Sequence, residues 1–286
     1  MFVKDNTLNS AKAYFFELLV HFSDSELKLM WSEIMCKRFN WSRTDFIMNT
    51  SFRLSESDLL FVRSFVKRLQ NNEPFQYIFG ETEFYGLKIK CDKRALIPRP
   101  ETEELVDWIS EYDNAERILD CCSGSGCITL ALKSVFKNSE VIGVDISEEA
   151  NNLALENANL NQLEVLFHKA NALDEKDTFL NSLNSLDIIV SNPPYIPKKE
   201  IQEMAPNVLD FEPHLALFVD NDSPIIFYKR IADFAILKLK NKGLLFFETH
   251  HLFCDEVVNY LKKIGFNKIE IKLDLQGKKR MLKAEK

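Results

Sequence analysis

Apolar residues recur at helical spacing through the first quarter of the chain. Between positions 13 and 22 they fall on one face of a predicted helix, namely Phe15, Leu18, Leu19 and Phe22. Two later segments have the spacing of a capping box, in which two side chains together begin a helix: Ser23 with Glu26, and Ser55 with Asp58. Residues 1–72 are therefore predicted to form a small helical domain.

The pattern changes to alternation after this helical part. Residues 75–92 alternate between apolar and polar positions and contain Gly80 and Gly86, which predicts a short hairpin. We therefore expect residues 73–94 to link the helical domain to the rest of the chain, residues 95–286.

From about residue 115 short apolar runs alternate with helical patterns. The runs predict strands at residues 117–122, 141–144, 165–167, 187–190 and 244–247, and helices are predicted at 128–136 and 148–159. Such alternation is typical of an α/β fold, with a parallel sheet covered by helices on both faces. Ligands of these sheets bind beyond the carboxyl ends of the strands.

Composition narrows the classes of function. The 286 residues exceed the usual size of one domain, and the hydrophobic share of 46% is that of a globular protein. The net charge of −7 argues against a protein that grips long nucleic acids by their phosphates. We expect no membrane span, since no run of ~18 apolar residues occurs, and no signal peptide, since the N-terminal segment lacks an apolar core.

The cysteines also bear on the chemistry. There are six, and none forms a C-x-x-C pair, so no metal site is expected. The adjacent Cys121 and Cys122 are interpreted as small buried residues of a reduced protein. A cytoplasmic location is therefore predicted.

A glycine-rich turn follows the first predicted strand of the sheet. Gly124 and Gly126 allow a ligand to approach the backbone closely. Asp145 ends the next strand, where a carboxylate can accept hydrogen bonds from both hydroxyls of a ribose. This arrangement fits a dinucleotide or S-adenosyl-L-methionine. The third glycine of a dinucleotide fingerprint is absent, since Thr129 stands there, and the sequence therefore favours the methyl donor.

The strand predicted at 187–190 runs into Ser191 and then into Asn192, Pro193, Pro194 and Tyr195. An amide nitrogen is a poor nucleophile because its lone pair is delocalised. The oxygen of Asn192 and the carbonyl of Pro193 can accept its two N–H groups and direct the lone pair to a methyl donor. Pro194 stiffens the turn and Tyr195 offers a flat face for stacking. The motif is typical of enzymes that methylate planar nitrogens.

The sequence resembles the PrmC/HemK family of protein-(glutamine-N5) methyltransferases, which act on peptide chain release factors. Seven segments carry the resemblance, at residues 74–90, 97–109, 119–128, 141–147, 190–196, 212–218 and 274–280. The stretches FQYIFG and IPRPETE matter most, because nucleic-acid methyltransferases with Asn-Pro-Pro-Tyr generally lack them. The resemblance implies a Rossmann-like S-adenosylmethionine-dependent methyltransferase sheet at 95–286, with the small helical domain at 1–72 recognising the substrate.

The resemblance also implies roles for individual residues. S-adenosylmethionine would be held by Cys122, Ser123, Gly124, Ser125, Gly126, Asp145, Asn171, Ala172 and, in part, Asn192. The segment around Leu96, Arg99 and Thr102 would close over this cofactor. Asn192, Pro193, Pro194 and Tyr195 would form the catalytic motif that holds the substrate glutamine. The glutamine would lie in the Gly-Gly-Gln loop of a release factor, and the enzyme would act as a monomer without direct contact to nucleic acid or membrane.

The chain departs from the family pattern at several positions. Cys122 stands where the family usually has glycine, Asn171 stands where many members have aspartate, and Ala172 replaces a larger apolar side chain. The glycine-containing turn that usually follows Glu248 is missing. His214, His250 and His251 are interpreted as surface or loop residues without a catalytic role.

Two other functions remain open at this point. A DNA or RNA amino-methyltransferase would share the chemistry of Asn-Pro-Pro-Tyr, although the acidic balance and the absence of a long target-recognition insertion count against it. The second alternative is a protein that binds the cofactor without catalysing a reaction, and Cys122 in the cofactor turn favours it.

Overall fold

The computed structural model describes residues 3–286. In chain order the helices are α1 (Leu8–Leu18), α2 (Asp24–Phe39), α3 (Arg43–Met48), α4 (Glu56–Gln70), α5 (Phe75–Phe79), α6 (Pro100–Ser110), α7 (Cys127–Val135), α8 (Glu148–Asn161), α9 (Thr178–Ser182), α10 (Pro206–Leu209), α11 (Ile226–Lys238) and α12 (Cys254–Ile264). The strands are β1 (Glu81–Phe84), β2 (Leu87–Lys90), β3 (Arg117–Cys121), β4 (Glu140–Asp145), β5 (Leu166–Lys169), β6 (Leu186–Ser191), β7 (Ile196–Pro197), β8 (Phe218–Val219), β9 (Leu239–Glu248), β10 (Asn267–Leu273) and β11 (Lys279–Glu285). The described chain divides into two compact units, one formed by the residues up to Gly80 with Pro206–Phe211, the other by Glu81–Ala205 with Glu212–Lys286.

The first unit contains the N-terminal helical region that the sequence predicts. Its core includes Phe15 and Trp31, which are fully buried and whose ring centroids lie 5.5 Å apart. Both predicted capping boxes are present, at the starts of α2 and α4. A third, Ser42 with Asp45, begins α3 and was not predicted. Local sequence therefore determines where these helices begin, and the buried aromatic rings hold them together.

The predicted hairpin is shorter than expected. Only β1 and β2 pair, from Glu81 with Lys90 to Phe84 with Leu87. The prediction was wrong for residues 75–79, which form α5 in the first unit. There the rings of Phe75 and Phe79 stack 5.2 Å apart and pack against the helical core. This apolar contact outweighs the alternating pattern, and Gly80 ends the helix in a left-handed conformation.

Within the described residues, seven strands of the second unit form one sheet in the order β10-β11-β9-β6-β3-β4-β5. The five predicted strands are present as β3, β4, β5, β6 and β9, and they pair in parallel. The sequence did not predict the last two strands, and β11 pairs antiparallel with both β9 and β10. The sheet is therefore mixed, with a Rossmann-like parallel part that carries the motifs.

The parallel strands end at one edge of the sheet. Cys121 at the end of β3 pairs with Val144 of β4 on one side and with Ser191 of β6 on the other. Ser191 in turn pairs with Phe247 of β9. The glycine-rich turn, Asp145, the Asn-Pro-Pro-Tyr motif and Glu248 therefore follow neighbouring strands. Among residues 3–286 we find no helix with the length and apolar character needed to cross a membrane.

Candidate active site

A cavity of about 230 Å³ lies at this carboxyl edge, entirely within the second unit. Most of the residues that the sequence assigns to the cofactor line it, namely Arg99, Thr102, Cys122, Ser123, Gly124, Ser125, Asp145, Asn171, Ala172 and Asn192. Pro194 of the catalytic motif also lines the cavity. Gly126, Pro193 and Tyr195 lie outside its lining. The chemistry-bearing residues of the two motifs thus meet in one cavity, and three of the expected residues are not part of its lining.

Gly126 directly precedes helix α7, and its lack of a side chain is needed for packing beneath the turn. Its φ is +79°, and a Cβ there would lie 2.7 Å from the ring of Phe167 and 2.9 Å from Ala154. Gly143 on β4 faces the same ring, with 2.5 Å between an added Cβ and Phe167. The role of Gly126 is therefore to let the wall close behind the cavity.

Cys122 occupies the position of the turn where glycine is usual. Its φ is +63°, in the left-handed region that costs an ordinary residue roughly 1–2 kcal/mol. The backbone thus keeps the glycine-like conformation, and the cysteine side chain is accommodated at the cavity wall. Burial raises the pKa of the Cys122 thiol well above its usual value, so the side chain is a neutral thiol.

Asp145 connects the ends of two strands through its carboxylate. One oxygen accepts the backbone N–H of Gly124 at 2.9 Å, and the other accepts the N–H of Ser147 at 2.9 Å. A carboxylate offers about four acceptor positions, so these backbone bonds leave acceptor capacity for a ligand in the cavity. Burial is the largest influence on its pKa, which is raised in spite of the backbone donors.

The loop after β5 supplies Asn171 and Ala172. The side-chain oxygen of Asn171 accepts the N–H of Leu173 at 3.0 Å, and its backbone N–H donates to Asp177 at 3.0 Å. The oxygen is thereby committed to the turn, and the amide nitrogen is left as the polar group for a ligand. An aspartate at this position would offer only acceptors.

Asn192 belongs to a chain of buried hydrogen bonds. Its side-chain nitrogen lies 3.4 Å from the hydroxyl oxygen of Thr102, and that hydroxyl donates to Glu248 at 2.7 Å. The hydroxyl of Tyr195 donates to the other oxygen of Glu248 at 3.2 Å. Burial raises the pKa of Glu248, while the bond from Thr102 opposes the shift. The hydroxyl proton of Thr102 is thus used within the protein, although the sequence assigns this residue to the cofactor.

Sequence reasoning missed the part that Glu248 plays in this chain. The available signal was its position, since a carboxylate directly follows the apolar run at the end of β9. Glu212 was missed as well. It accepts the backbone N–H of Ile97 at 3.0 Å and the guanidinium of Arg99 at 2.5 Å. The side chain of Glu212 is only 1% exposed, whereas that of Arg99 is 33% exposed, and the ion pair ties the segment around Arg99 to the cavity wall.

Two family models match the chain. Residues 17–80 match the PrmC N-terminal domain, and residues 101–210 match the methyltransferase small domain. A release factor glutamine methyltransferase from Flavobacterium psychrophilum is 38% identical over 270 residues, which cover 92% of this chain and 93% of that protein. A release factor glutamine methyltransferase from Bacteroides thetaiotaomicron is 37% identical over 262 residues, which cover 91% of this chain and 93% of that protein. This chain belongs to the family of release factor glutamine methyltransferases.

Membership of this family confirms the resemblance seen in the sequence, and the chain is a methyltransferase. The fold agrees, since the structure of a methyltransferase from Pyrococcus furiosus superposes with a TM-score of 0.53 at 16% identity. The alignment covers 70% of this chain and 89% of that one. Both the helical region and the sheet have counterparts in the family, and the sheet has one in a solved structure.

The three histidines of this glutamine methyltransferase differ in their exposure to solvent. His214 and His251 are exposed, but His250 lies in a loop and is buried, with 6% of its surface exposed. Its Nε2 atom lies 3.2 Å from the carboxylate of Glu200, and its ring meets that of Tyr195 edge to face at 5.9 Å. Burial lowers the pKa of His250. His250 is therefore a loop residue, as the sequence interpretation allows, but it is not a surface residue.

No group of three or more potential metal ligands occurs among residues 3–286. The polar side chains of the cavity include amides, hydroxyls, a carboxylate and the guanidinium groups of Arg94 and Arg99. The arrangement can bind a ligand with hydroxyl groups at Asp145 and present acceptors at Asn192. It holds these two groups in the same cavity.

Proposed function

We propose that this protein transfers a methyl group from S-adenosylmethionine to the side-chain nitrogen N5 of a glutamine in the Gly-Gly-Gln loop of peptide chain release factors. The observation that carries the proposal is that Asp145 and Asn192 line one cavity in a chain of this family. The first suits the donor of the methyl group and the second suits its acceptor.

The residues present fit the cofactor. Asp145 lines the cavity and keeps acceptor capacity for ribose hydroxyls beside its backbone bonds. Among the described residues, the hydroxyl oxygen of Ser123 is buried at the cavity wall and has no hydrogen-bond partner, so it can bond to a polar ligand. A Cβ added at Gly124 would meet nothing within 4 Å, which leaves the turn open to a ligand. Ile146 and Ala150 contribute apolar surface to the same wall.

The residues of the chain act on the substrate amide. S-adenosylmethionine, when bound, supplies a methyl group on a positively charged sulfur, and the C–S bond breaks as the N–C bond forms, which leaves a neutral thioether. The side-chain oxygen of Asn192 accepts one N–H of the glutamine amide. The carbonyl of Pro193, which lies in the chain between the lining residues Asn192 and Pro194, accepts the other. The lone pair of the nitrogen is then directed away from both acceptors. The methylated nitrogen is acidic and loses its extra proton without a base residue.

The first 72 residues are proposed to recognise the release factor, and residues 95–286 are proposed to catalyse the methyl transfer. Residues 73–94 are proposed to link these two domains. Recognition by a folded helical surface should protect its backbone amides. Hydrogen exchange of the full-length chain with and without a release factor is the measurement. We expect added protection within residues 1–72, and protection confined to residues 95–286 would contradict this role. The protein is further proposed to work as a monomer in the cytoplasm.

The function is tested with purified release factor and cofactor carrying a labelled methyl group. We expect one label per release factor at the glutamine of the Gly-Gly-Gln loop, located by mass spectrometry. Replacing that glutamine by glutamate exchanges the amide nitrogen for oxygen and should abolish labelling. Labelling of DNA or RNA in a parallel reaction would favour an amino-methyltransferase for nucleic acid. Cofactor binding in calorimetry without any transfer would favour a binding protein.

A further inference from the structure

We propose that Glu248 and Thr102 are positioning residues that determine which way the side-chain amide of Asn192 points. The inference rests on the proposed function, in which the oxygen of that amide accepts a proton of the substrate. Neither residue needs to touch the substrate. They act through the direction in which each hydrogen bond of the chain is donated.

The direction of the chain begins at Glu248. Its two side-chain oxygens accept from two different hydroxyls, those of Thr102 and Tyr195, and Glu248 is 2% exposed, so water does not compete for it. Thr102, also 2% exposed, donates to it at 2.7 Å. A hydroxyl has a single proton. With that proton on the bond to Glu248, the oxygen of Thr102 can only accept from any other neighbour.

Asn192 is that neighbour. Its amide must therefore present the nitrogen to Thr102, and the distance between the two atoms is 3.4 Å. The oxygen of the amide then lies on the opposite side, where it can accept from a substrate. An amide turned over would place two acceptors against each other and offer a donor to a substrate N–H, which is itself a donor. The chain from Glu248 thus selects the orientation that can hold a glutamine amide.

Glu248 also bonds to Tyr195, the last residue of the Asn-Pro-Pro-Tyr motif. The hydroxyl of Tyr195 donates to its second oxygen at 3.2 Å. The backbone carbonyl of Glu248 accepts from the hydroxyl of Tyr228, also at 3.2 Å. Both carboxylate oxygens are therefore occupied by donors, one connected to Asn192 and one belonging to Tyr195. A carboxamide in this place could accept on one side only, so Glu248→Gln breaks one of the two bonds without changing the shape.

The test compares four variants of the full-length protein. Thr102→Val removes the hydroxyl, Thr102→Ser retains it, and Glu248→Gln removes one acceptor. The control is Thr129→Val. Thr129 is fully buried and donates to Asp120 at 2.6 Å, which is the same kind of bond in the same unit, but neither residue lines the cavity. Turnover on a release factor, KM and cofactor affinity are measured for each.

Thr102→Val and Glu248→Gln should lower kcat about 10- to 100-fold, the range found when a residue that orients a metal ligand is removed. Cofactor affinity should stay within about twofold of wild type, and Thr102→Ser should restore kcat. Thr129→Val should leave kcat close to wild type, whatever its effect on stability. Equal kcat values for Thr102→Val and Thr129→Val would overturn the inference. If Thr102→Val does not fold, Glu248→Gln decides it alone.

A second measurement does not depend on the substrate. In protein labelled with isotopic nitrogen at asparagine, the side-chain amide signal of Asn192 is identified by its absence from Asn192→Asp. We expect this signal to move in Thr102→Val and Glu248→Gln and to return in Thr102→Ser. An unmoved signal contradicts the chain of hydrogen bonds. Failure of wild type to methylate a release factor contradicts the proposed function instead, so the two failures are distinguishable.

Discussion

The backbone N–H of Gly124 donates to the carboxylate of Asp145 across 2.9 Å, and this bond joins the glycine-rich turn of one strand to the end of the next. The same carboxylate faces the cavity. Asp145 therefore has a structural partner on one side and open acceptor positions on the other. A substitution here acts both on the turn and on ligand binding.

Asp145→Ala should weaken cofactor binding about ten- to a hundredfold, because hydrogen bonds to a charged group contribute roughly 1.5–3 kcal/mol. Calorimetry with S-adenosylmethionine measures the change. Asp145→Asn is the matched variant, since it keeps one acceptor oxygen and should lose less. Equal affinity of Asp145→Ala and wild type would remove Asp145 from the binding site.

Cys122→Gly should raise the free energy of unfolding by up to ~1 kcal/mol. The left-handed conformation at φ +63° costs cysteine roughly 1–2 kcal/mol but costs glycine little, and the greater freedom of glycine in the unfolded chain offsets part of the gain. Urea unfolding measures the difference. Cys127→Gly is the control, because Cys127 begins α7 in a helical conformation and should lose stability. A loss in Cys122→Gly as well would show that side-chain packing outweighs the strain.

Asp120 should make stability depend on pH near neutrality. Burial raises its pKa to about 7, the bond from Thr129 opposes the shift, and the charge of Asp145 adds to it. The folded state therefore binds the proton more tightly than the unfolded state, and stability falls as the pH rises from about 4 through about 7.

Asp120→Asn removes this titration and keeps an acceptor for Thr129. Its free energy of unfolding relative to wild type should increase over that pH window and level off above it, by at most ~4 kcal/mol at 1.36 kcal/mol per unit of pKa. Chemical unfolding at several pH values gives the curve. A difference between the two proteins that does not vary with pH would contradict the assignment.

Asn192→Ala should lower turnover by ~10²–10³ while leaving cofactor affinity nearly unchanged, because one preorganised acceptor for the substrate is lost. Asn192→Asp keeps an acceptor but loses the donor to Thr102, and it places a charge beside the buried Glu248. Partial activity is expected from it. Kinetics with a release factor and calorimetry with the cofactor separate the two effects, and a parallel loss of both quantities in Asn192→Ala would assign the residue to cofactor binding.

The parts of the site that the sequence predicts are those that local pattern determines. Gly124, Asp145 and Asn192 each follow an apolar run, and parallel strands bring such positions to one edge. The bond between Thr102 and Glu248 joins residues 146 positions apart, and that between Arg99 and Glu212 spans 113. Contacts between residues so far apart in the sequence depend on the assembled sheet and its loops, so local spacing does not predict them.

The same reasoning explains the errors in the fold. Strand β10 is largely exposed and lacks a run of buried apolar residues, so its pattern is weak. Residues 75–79 alternate like a strand, yet their aromatic rings are needed by the helical core. In both places tertiary packing decides the structure. The local pattern gives no signal for β10, and it predicts the wrong element for residues 75–79.

The ring of Phe167 occupies the space that side chains at positions 126 and 143 would need. The size of the residue at position 167 therefore limits which residues fit at positions 126 and 143. Position 143 could accept a larger residue only in a descendant that had first changed both Phe167 and Thr129, since the Oγ1 atom of Thr129 would lie 2.7 Å from the added Cβ. Position 126 would need changes at Phe167 and Ala154, and its backbone at φ +79° would still strain a side chain, as φ +63° strains Cys122 in the same turn. One glycine thus depends on its neighbours alone, and the other depends on its neighbours and on the backbone of the turn.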